Sequence, residues 1–291
     1  MRSLRSFAVA SALLSLGLPP CAADPVDPDR VITETLAQAG EEISKQCQAL
    51  VRLAWPDAPG VAPEISARAR AELVAFGERA ITTLRISVRK VKPQYQADLV
   101  RTYIEAFRQM SSRMPPDYLA GLEEAVWFGS EEAKRIAVPE LARFRYRPAL
   151  LTIIDAAHEV PALNQVCIEA LGRIGDERAR FFLEKALNDG TPGAAEAAAV
   201  SLAQIGGRAL LPLKAALRAD SRLVRLSAAR ALLPVARVED LSSLFEYLEE
   251  HSRDDPGTSE AIRQAAIMLD KQRQAQEASA AASSAPEEKT P

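Results

Sequence analysis

The pentad Leu171-Gly172-Arg173-Ile174-Gly175 recurs along this chain at an almost constant step. Leu202-Ala203-Gln204-Ile205-Gly206 is the next copy, and Leu232-Leu233-Pro234-Val235-Ala236 is the one after it. Leu141-Ala142-Arg143-Phe144-Arg145 precedes it at the same step, and Leu73-Val74-Ala75-Phe76-Gly77 has the same form further back. Self-similarity at a period of about 30 residues indicates stacked structural repeats.

Each pentad closes one run of helically spaced apolar residues, and a second run follows after a short turn. These second runs cover 179–187, 210–217 and 241–248. Gly172 permits close helix approach, while Gly175 and Gly206 suit a left-handed helix stop. One pair of helices cannot bury its apolar face alone, so stacking on neighbouring pairs is required. The sequence therefore predicts an all-α fold made of helix-turn-helix units of about 30 residues.

Two stretches resemble HEAT repeats, in particular the short bacterial kind named after phycobilisome-lyase proteins. The stretch 166–179, VCIEALGRIGDERA, is similar to the family's AL-G-IGD-RA core, and 220–232, DSRLVRLSAARAL, is similar to its first helix. The likeness is closest over 160–237 and looser over 66–128, where Met114-Pro115-Pro116 lengthens a loop. The resemblance implies a right-handed α-solenoid of about six HEAT-like repeats with an N-terminal capping helix. It implies a binding scaffold rather than a particular chemistry.

The first residues predict a targeting segment. Arg2 and Arg5 precede an apolar run over 7–18, which is shorter than the ~20 residues that span a bilayer. We expect 1–23 to be a signal peptide cleaved before Asp24, which places the protein in the periplasm or outside the cell. The alternative is a membrane-anchored lipoprotein with Cys21 as the acylated residue. No later segment is long and apolar enough to predict a transmembrane helix.

The remaining chain is predicted to form three regions. Residues 24–65 comprise one amphipathic capping helix over 31–55 and a proline-rich connector. Residues 66–273 form the repeats and end in a closing helix over 259–272. Residues 274–291 are rich in Ala, Ser, Gln, Glu and Pro without an apolar period, which predicts a disordered tail.

Composition excludes several classes of protein. The 291 residues carry 36 Lys and Arg against 39 Asp and Glu, so a chain-wide nucleic-acid binder is not expected. There are only two histidines, and no P-loop, G-x-S-x-G or H-E-x-x-H motif is present. We therefore predict no catalytic residues, no metal and no cofactor. The carboxylates around His251 are interpreted as a solvated turn, with a metal site as the alternative. Cys47 and Cys167 lie on apolar stripes, which predicts two buried, reduced thiols.

Charge is distributed unevenly and suggests where a partner would bind. Residues 66–114 carry ten Lys and Arg against four Asp and Glu, whereas 239–260 carry one Arg against eight acids. On the helix predicted over 78–91, Ile81, Leu84, Val88 and Val91 form the expected buried stripe. The candidate partner-binding residues on its other face are Arg85, Arg89 and Lys92.

An arginine also recurs where each second helix begins, at Arg79, Arg147, Arg178 and Arg208. A cation at a helix N-terminus opposes the macrodipole, so some compensation is expected. One interpretation is a basic ladder that grips an anionic ligand. The other is local pairing with neighbouring acids such as Glu78, Asp176 and Glu177.

Three functions follow from these observations. The leading hypothesis is an exported, non-enzymatic scaffold of the cell envelope that binds a protein or peptide. The resemblance implies that the second helices line a concave face, where that partner would sit. The alternative is a lyase- or chaperone-like protein acting on a bound partner, and the third is nucleic-acid binding. Export argues against the last two, because pigment attachment and nucleic acids belong inside the cell.

Overall fold

In a computed structural model of the chain, the described residues are entirely helical apart from turns and connecting segments. The described positions are 27–39, 42–56, 61–110, 115–237, 244–247, 249, 256, 259–260, 262–264, 266–271 and 274. This confirms the all-α class for that part of the chain. The predicted signal peptide with Cys21, the turn around His251 and the tail other than Gln274 lie outside it. The described positions between 259 and 271, where a closing helix was predicted, are helical.

The chain divides into two compact units, 1–163 and 164–291. The helices of the first unit are α1 (Pro28–Ala39), α2 (Ile43–Ala54), α3 (Pro63–Phe76), α4 (Glu78–Ser87), α5 (Pro93–Arg108), α6 (Pro116–Phe128), α7 (Glu131–Arg143) and α8 (Leu150–Glu159). Those of the second unit are α9 (Asn164–Ile174), α10 (Arg180–Asp189), α11 (Pro192–Ile205), α12 (Leu210–Ala216) and α13 (Arg222–Leu232).

In the first unit, alternate helices pack against each other in two rows. One row consists of α1, α3, α5 and α7, and the other of α2, α4, α6 and α8. Neighbouring helices in sequence connect the rows, with α2 against α3 and α6 against α7 as close pairs. In the second unit, α9 packs on α11 and α11 on α13, with α10 and α12 beside them. Each unit thus repeats a first-helix and second-helix arrangement.

The prediction of one long helix over 31–55 is wrong. The structure has two helices there, because Glu42 adopts an extended conformation (φ −75°, ψ 109°) and begins α2 as its N-cap. Gly40 lies in the intervening sequence, and glycine has a low helix propensity. The apolar period of the sequence continues across this interruption, so periodicity alone predicts a single helix.

The pentads mark the same structural position in successive first helices. The fifth residue of four pentads has positive φ, namely 53° at Gly77, 49° at Arg145, 72° at Gly175 and 71° at Gly206. The predicted glycine stops at Gly175 and Gly206 are therefore confirmed. An arginine takes the same positive φ in the 141–145 copy, although L-residues with side chains seldom adopt it.

Three second helices begin in the same unexpected way. A short 3-10 turn precedes each, at Arg147–Ala149, Glu177–Ala179 and Gly207–Ala209. The alanine that ends each turn is completely buried. Because these turns recur with the period of the pentads, they extend the repeat from sequence into backbone geometry.

The stripe predicted on the 78–91 segment is confirmed as core. Ile81, Leu84, Val88 and Val91 are all buried, although the helix itself ends at Ser87 and a turn follows. Among the described residues, none of the helices combines the length and the apolar character that crossing a membrane requires.

Candidate functional site

The first unit contains an open groove of about 590 Å³ between α2 and α4. Both walls belong to the row that contains the second helices. The groove is lined by Ile43, Ser44, Gln48, Val51, Arg52, Trp55, Arg79, Thr82, Thr83, Ile86, Ser87, Lys90 and Val91. This set combines aliphatic side chains, neutral polar side chains and three cations, and it contains no carboxylate.

Apolar side chains give the groove a surface that can be desolvated. Ile86 is 50% exposed, which is unusual for an isoleucine on a helix, and Val51 lies on the opposite wall. Trp55 also lines the groove although it is almost fully buried. Its indole Nε1 is buried and finds no acceptor among the described groups. Such a donor costs free energy, on the order of 1–3 kcal/mol, while it is unsatisfied.

Three cations, Arg52, Arg79 and Lys90, give the groove its charge. All three are exposed, and their side chains form no ion pair or hydrogen bond with any residue that the structure describes. Most other described cations of the first unit are neutralised; Arg68, for example, lies 2.7 Å from Asp29 and 3.1 Å from Glu72. The groove is therefore a concentrated positive surface next to exposed apolar area.

The sequence places these residues on one face of each helix. On α4 and the turn after it, Arg79, Thr83, Ile86 and Lys90 follow one another at spacings of four, three and four. Such residues share one side of a helix. Ser44, Gln48 and Arg52 do the same on α2, at spacings of four. Both faces lie beside the buried stripe of their own helix, and apart from the buried Thr83 their side chains are exposed to solvent.

Cys47 lies beneath this groove, in the contact between α2 and α4. Its side chain is fully buried, and its Sγ approaches the backbone oxygen of Arg79 at 4.0 Å. Burial raises the pKa of the Cys47 thiol to about 11. Cys167 is likewise a buried thiol in α9. The prediction that both cysteines are buried is confirmed, the two form no disulfide in the described fold, and the raised pKa keeps Cys47 uncharged near neutral pH.

The structure places the predicted residues Arg85 and Arg89 away from the groove, against α6. Nη1 of Arg85 donates to Oδ1 of Asp117 at 2.6 Å, and its Nε and Nη2 donate to Oε1 of Glu124 at 3.0 and 2.8 Å. These carboxylates raise the pKa of Arg85, chiefly through the hydrogen bond to Glu124. Arg89 lies 3.3 Å from Glu124. Their charges are therefore balanced within the fold.

The recurring arginines divide between the two interpretations. Arg178 makes three side-chain hydrogen bonds to Asp176, the shortest 2.7 Å, as local pairing predicts. Arg147, Arg178 and Arg208 all lie in the 3-10 turns, ahead of the α-helices that follow. Arg79 lies in the first turn of α4 and lines the groove. Lys92 is exposed at the N-cap of α5.

An exposed aromatic pair ends α6. Trp127 is 54% exposed and Phe128 is 47% exposed, and their ring centroids lie 6.4 Å apart. The guanidinium of Arg89 stacks over the Phe128 ring at 4.2 Å. The pair lies on the helix next to α4 in the row of second helices, so it adds apolar surface to the same row.

A cavity in the second unit has a different character. It measures about 350 Å³ and lies between α9 and α11. Glu169, Arg173 and Glu196 all line it, so charges of both signs are present. No group of three or more His, Cys, Asp or Glu side chains in the described ranges could hold a metal ion. The cluster around His251 lies outside those ranges.

Sequence reasoning missed Arg52, Ile86 and Lys90. The signal that could have found Ile86 and Lys90 is their helical spacing from Arg79, which places a lone isoleucine between two cations on a face that is not the buried stripe. Arg52 had a weaker signal, since nothing in the sequence brings α2 next to α4. The contact between these helices depends on the fold.

No protein-family model matches this sequence, and no curated protein matches it.

Proposed function

We propose that this chain is an exported, non-enzymatic α-solenoid scaffold that binds a protein or peptide partner in the groove between α2 and α4. The export proposal rests on the basic and apolar pattern of residues 1–23. The solenoid proposal, with about six right-handed HEAT-like repeats, rests on the resemblance and is supported by the two-row packing within the first unit. Arg79 remains a proposed binding residue, and Arg52 and Lys90 join it.

One observation carries the choice of site. The groove combines the exposed side chain of Ile86 and the half-buried Ile43 and Val51 with three cations that no described carboxylate neutralises. Exposing such a surface to water does not stabilise the fold. Exposed apolar patches rimmed by polar groups are typical of interaction sites. Unneutralised charges speed the encounter with an oppositely charged partner. An acidic protein segment with apolar side chains satisfies both features.

The test compares two triple charge reversals in crosslinking pull-downs from the cell envelope. The groove variant is Arg52→Glu, Arg79→Glu and Lys90→Glu. The matched control is Arg147→Glu, Lys185→Glu and Arg208→Glu, which changes the net charge equally at exposed positions outside the groove. We expect the groove variant to lose the partner that the parent protein captures, and the crosslinks of the parent to map onto α2 and α4.

Thermal unfolding followed by circular dichroism would first establish that both variants fold. Retention of every partner by the groove variant would refute the proposed site. Loss of the partner only in the control variant would instead favour the arginine ladder at the starts of the second helices.

A further inference from the structure

We propose that the occupant of the groove is an acidic amphipathic helix of about three turns, with one apolar face and carboxylates at its flanks. This inference rests on the proposed function and names the partner's chemistry. It follows from the length of the groove, the chemistry of its walls and the positions of its cations.

The groove is long enough for a helix to lie along it. Its lining residues on α2 run from Ile43 to Trp55, and those on α4 and the following turn run from Arg79 to Val91. Each set spans the whole of its helix. At a rise of about 1.5 Å per residue, that length is about 18 Å, which matches about twelve residues of a docked helix.

The walls favour a helix over an extended strand. Backbone N–H and C=O groups within α2 and α4 are bonded to each other along each helix, so the groove presents no edge for main-chain pairing. An extended peptide could bond some of its backbone groups to side chains such as Ser44 and Gln48, but those that lie against Val51 and Ile86 would have no partner. A helix satisfies its backbone internally and presents only side chains to the groove.

The cations define the charge pattern of the occupant. Arg79 lies in the first turn of α4 and Lys90 in the turn that follows the helix, so they mark the two ends of this wall, on the order of 15 Å apart. Arg52 lies near the end of the opposite wall. Carboxylates three turns apart on the docked helix would reach both ends of α4, while apolar residues at i, i+3, i+4 and i+7 would cover Ile86 and Val51.

Neighbouring charges sharpen this pattern. On α6, Asp117 and Glu124 form ion pairs with Arg85, and Glu124 also pairs with Arg89. That side of α4 is therefore nearly neutral. The positive potential therefore comes from the groove itself. A basic helix would be repelled from it, and a neutral helix would gain only the apolar contact.

This inference is tested by measuring the binding of synthetic peptides to the full exported chain. Each peptide has about 14 residues, or nearly four helical turns. The parent peptide carries Leu at i, i+3, i+4, i+7 and i+11 with Glu at the flanks. Three matched peptides change one property each: Lys replaces every Glu, a central Pro breaks the helix, or the same composition is scrambled so that the leucines no longer share a face. Fluorescence anisotropy of the labelled peptides gives the affinities.

We expect the parent peptide to bind at least about tenfold more tightly than each matched peptide, a difference of about 1.4 kcal/mol. The groove variant Arg52→Glu, Arg79→Glu and Lys90→Glu should reverse the preference between the Glu and Lys peptides. A reversal at Arg101, Lys185 and Lys271, three exposed cations outside the groove, should leave the affinities unchanged. Raising the salt from about 50 to about 300 mM should weaken binding of the parent peptide and narrow its advantage over the Lys peptide, because salt screens the attraction of the first and the repulsion of the second.

Equal binding of the proline or scrambled peptide would overturn the helical occupant. Groove-dependent binding of anionic lipid vesicles, without binding of the peptides, would overturn it in favour of a lipid surface. A different result would refute the proposed function, namely that the groove variant captures the same pull-down partner as the parent protein. If that partner depends on the groove but the peptides do not discriminate, the scaffold proposal stands and the acidic helix falls.

Discussion

Arg145 occupies a backbone position that three other pentads give to glycine. Its N–H donates to the carbonyl of Ala142 at 3.0 Å, and the N–H of Tyr146 donates to the carbonyl of Leu141 at 3.1 Å. These two bonds form a Schellman motif at the end of α7, with Arg145 at the C′ position. The carbonyls at the helix end are satisfied, but an arginine with a φ of 49° bears the strain of its Cβ.

We predict that Arg145→Gly stabilises the protein. The substitution removes about 1–2 kcal/mol of strain at a left-handed residue. The greater conformational freedom of glycine in the unfolded chain offsets about 0.5–1 kcal/mol of that gain in stability. The free energy of unfolding should therefore rise by about 0.5–1 kcal/mol in urea denaturation followed by circular dichroism.

Gly206→Ala is the reciprocal variant. Gly206 has φ 71° and ψ −160°, and an added Cβ would meet no atom within 4 Å, so any loss is torsional. We expect a loss of about 1–3 kcal/mol. Stabilisation by Gly206→Ala, or destabilisation by Arg145→Gly, would contradict this account of the helix stops.

At the scale of helices, α9 and α11 approach each other through Gly172 and Ser201. A Cβ built on Gly172 would lie 2.5 Å from Oγ and 2.7 Å from Cα of Ser201. The Ser201 hydroxyl donates to the carbonyl of Ile168 at 3.0 Å, which fixes it against α9. Because the obstacle includes backbone, the two helices would have to separate to admit a methyl group.

We predict that Gly172→Ala destabilises the protein although alanine is the better helix former. Its propensity gain is about 1 kcal/mol, and overpacking costs about 1–3 kcal/mol, so we expect a net loss of up to about 2 kcal/mol. Gly193→Ala in α11 is the control, since its new Cβ would meet only the side chain of Gln165, with Oε1 at 3.4 Å. Chemical denaturation should show a loss for the first variant and no loss for the second. Equal effects would show that helix approach is not limited at Gly172.

Sequence periodicity predicted helices well where one apolar face decides their position. The buried stripe Ile81, Leu84, Val88 and Val91 and the stops at Gly175 and Gly206 are of this kind. The partners of surface charges could not be predicted in the same way. Arg85 and Asp117 belong to helices that are not consecutive in the chain, and only the packing of α4 on α6 brings them together. The groove was missed for the same reason, because its two walls come from different predicted regions.

At the scale of the whole chain, the proposed role depends on where the protein is delivered. The two cysteines of the described fold are buried, so they give no information on the redox state of the compartment. The deciding residues are those of the predicted signal peptide and its cleavage site. Two routes remain distinct in chemistry, because cleavage before Asp24 removes Cys21, whereas lipidation retains it as the first residue.

We predict that the exported protein begins at Asp24 and carries no lipid. Intact-mass measurement on protein purified from the periplasm, together with N-terminal sequencing, should give a chain of residues 24–291. Cys21→Ala should be processed identically under signal-peptide cleavage. Membrane retention of the parent that is lost in Cys21→Ala would establish the lipoprotein alternative instead.

The positions of the two tryptophans give the groove its own optical reporter. The chain contains only Trp55 and Trp127, and both belong to the first unit. Selective excitation of tryptophan therefore records that unit alone. Trp127 is half exposed and accessible to aqueous quenchers such as iodide, whereas Trp55 is shielded where it lines the groove. The emission that survives quenching comes from the residue beside the proposed ligand, so occupancy can be followed without attaching a dye to the protein.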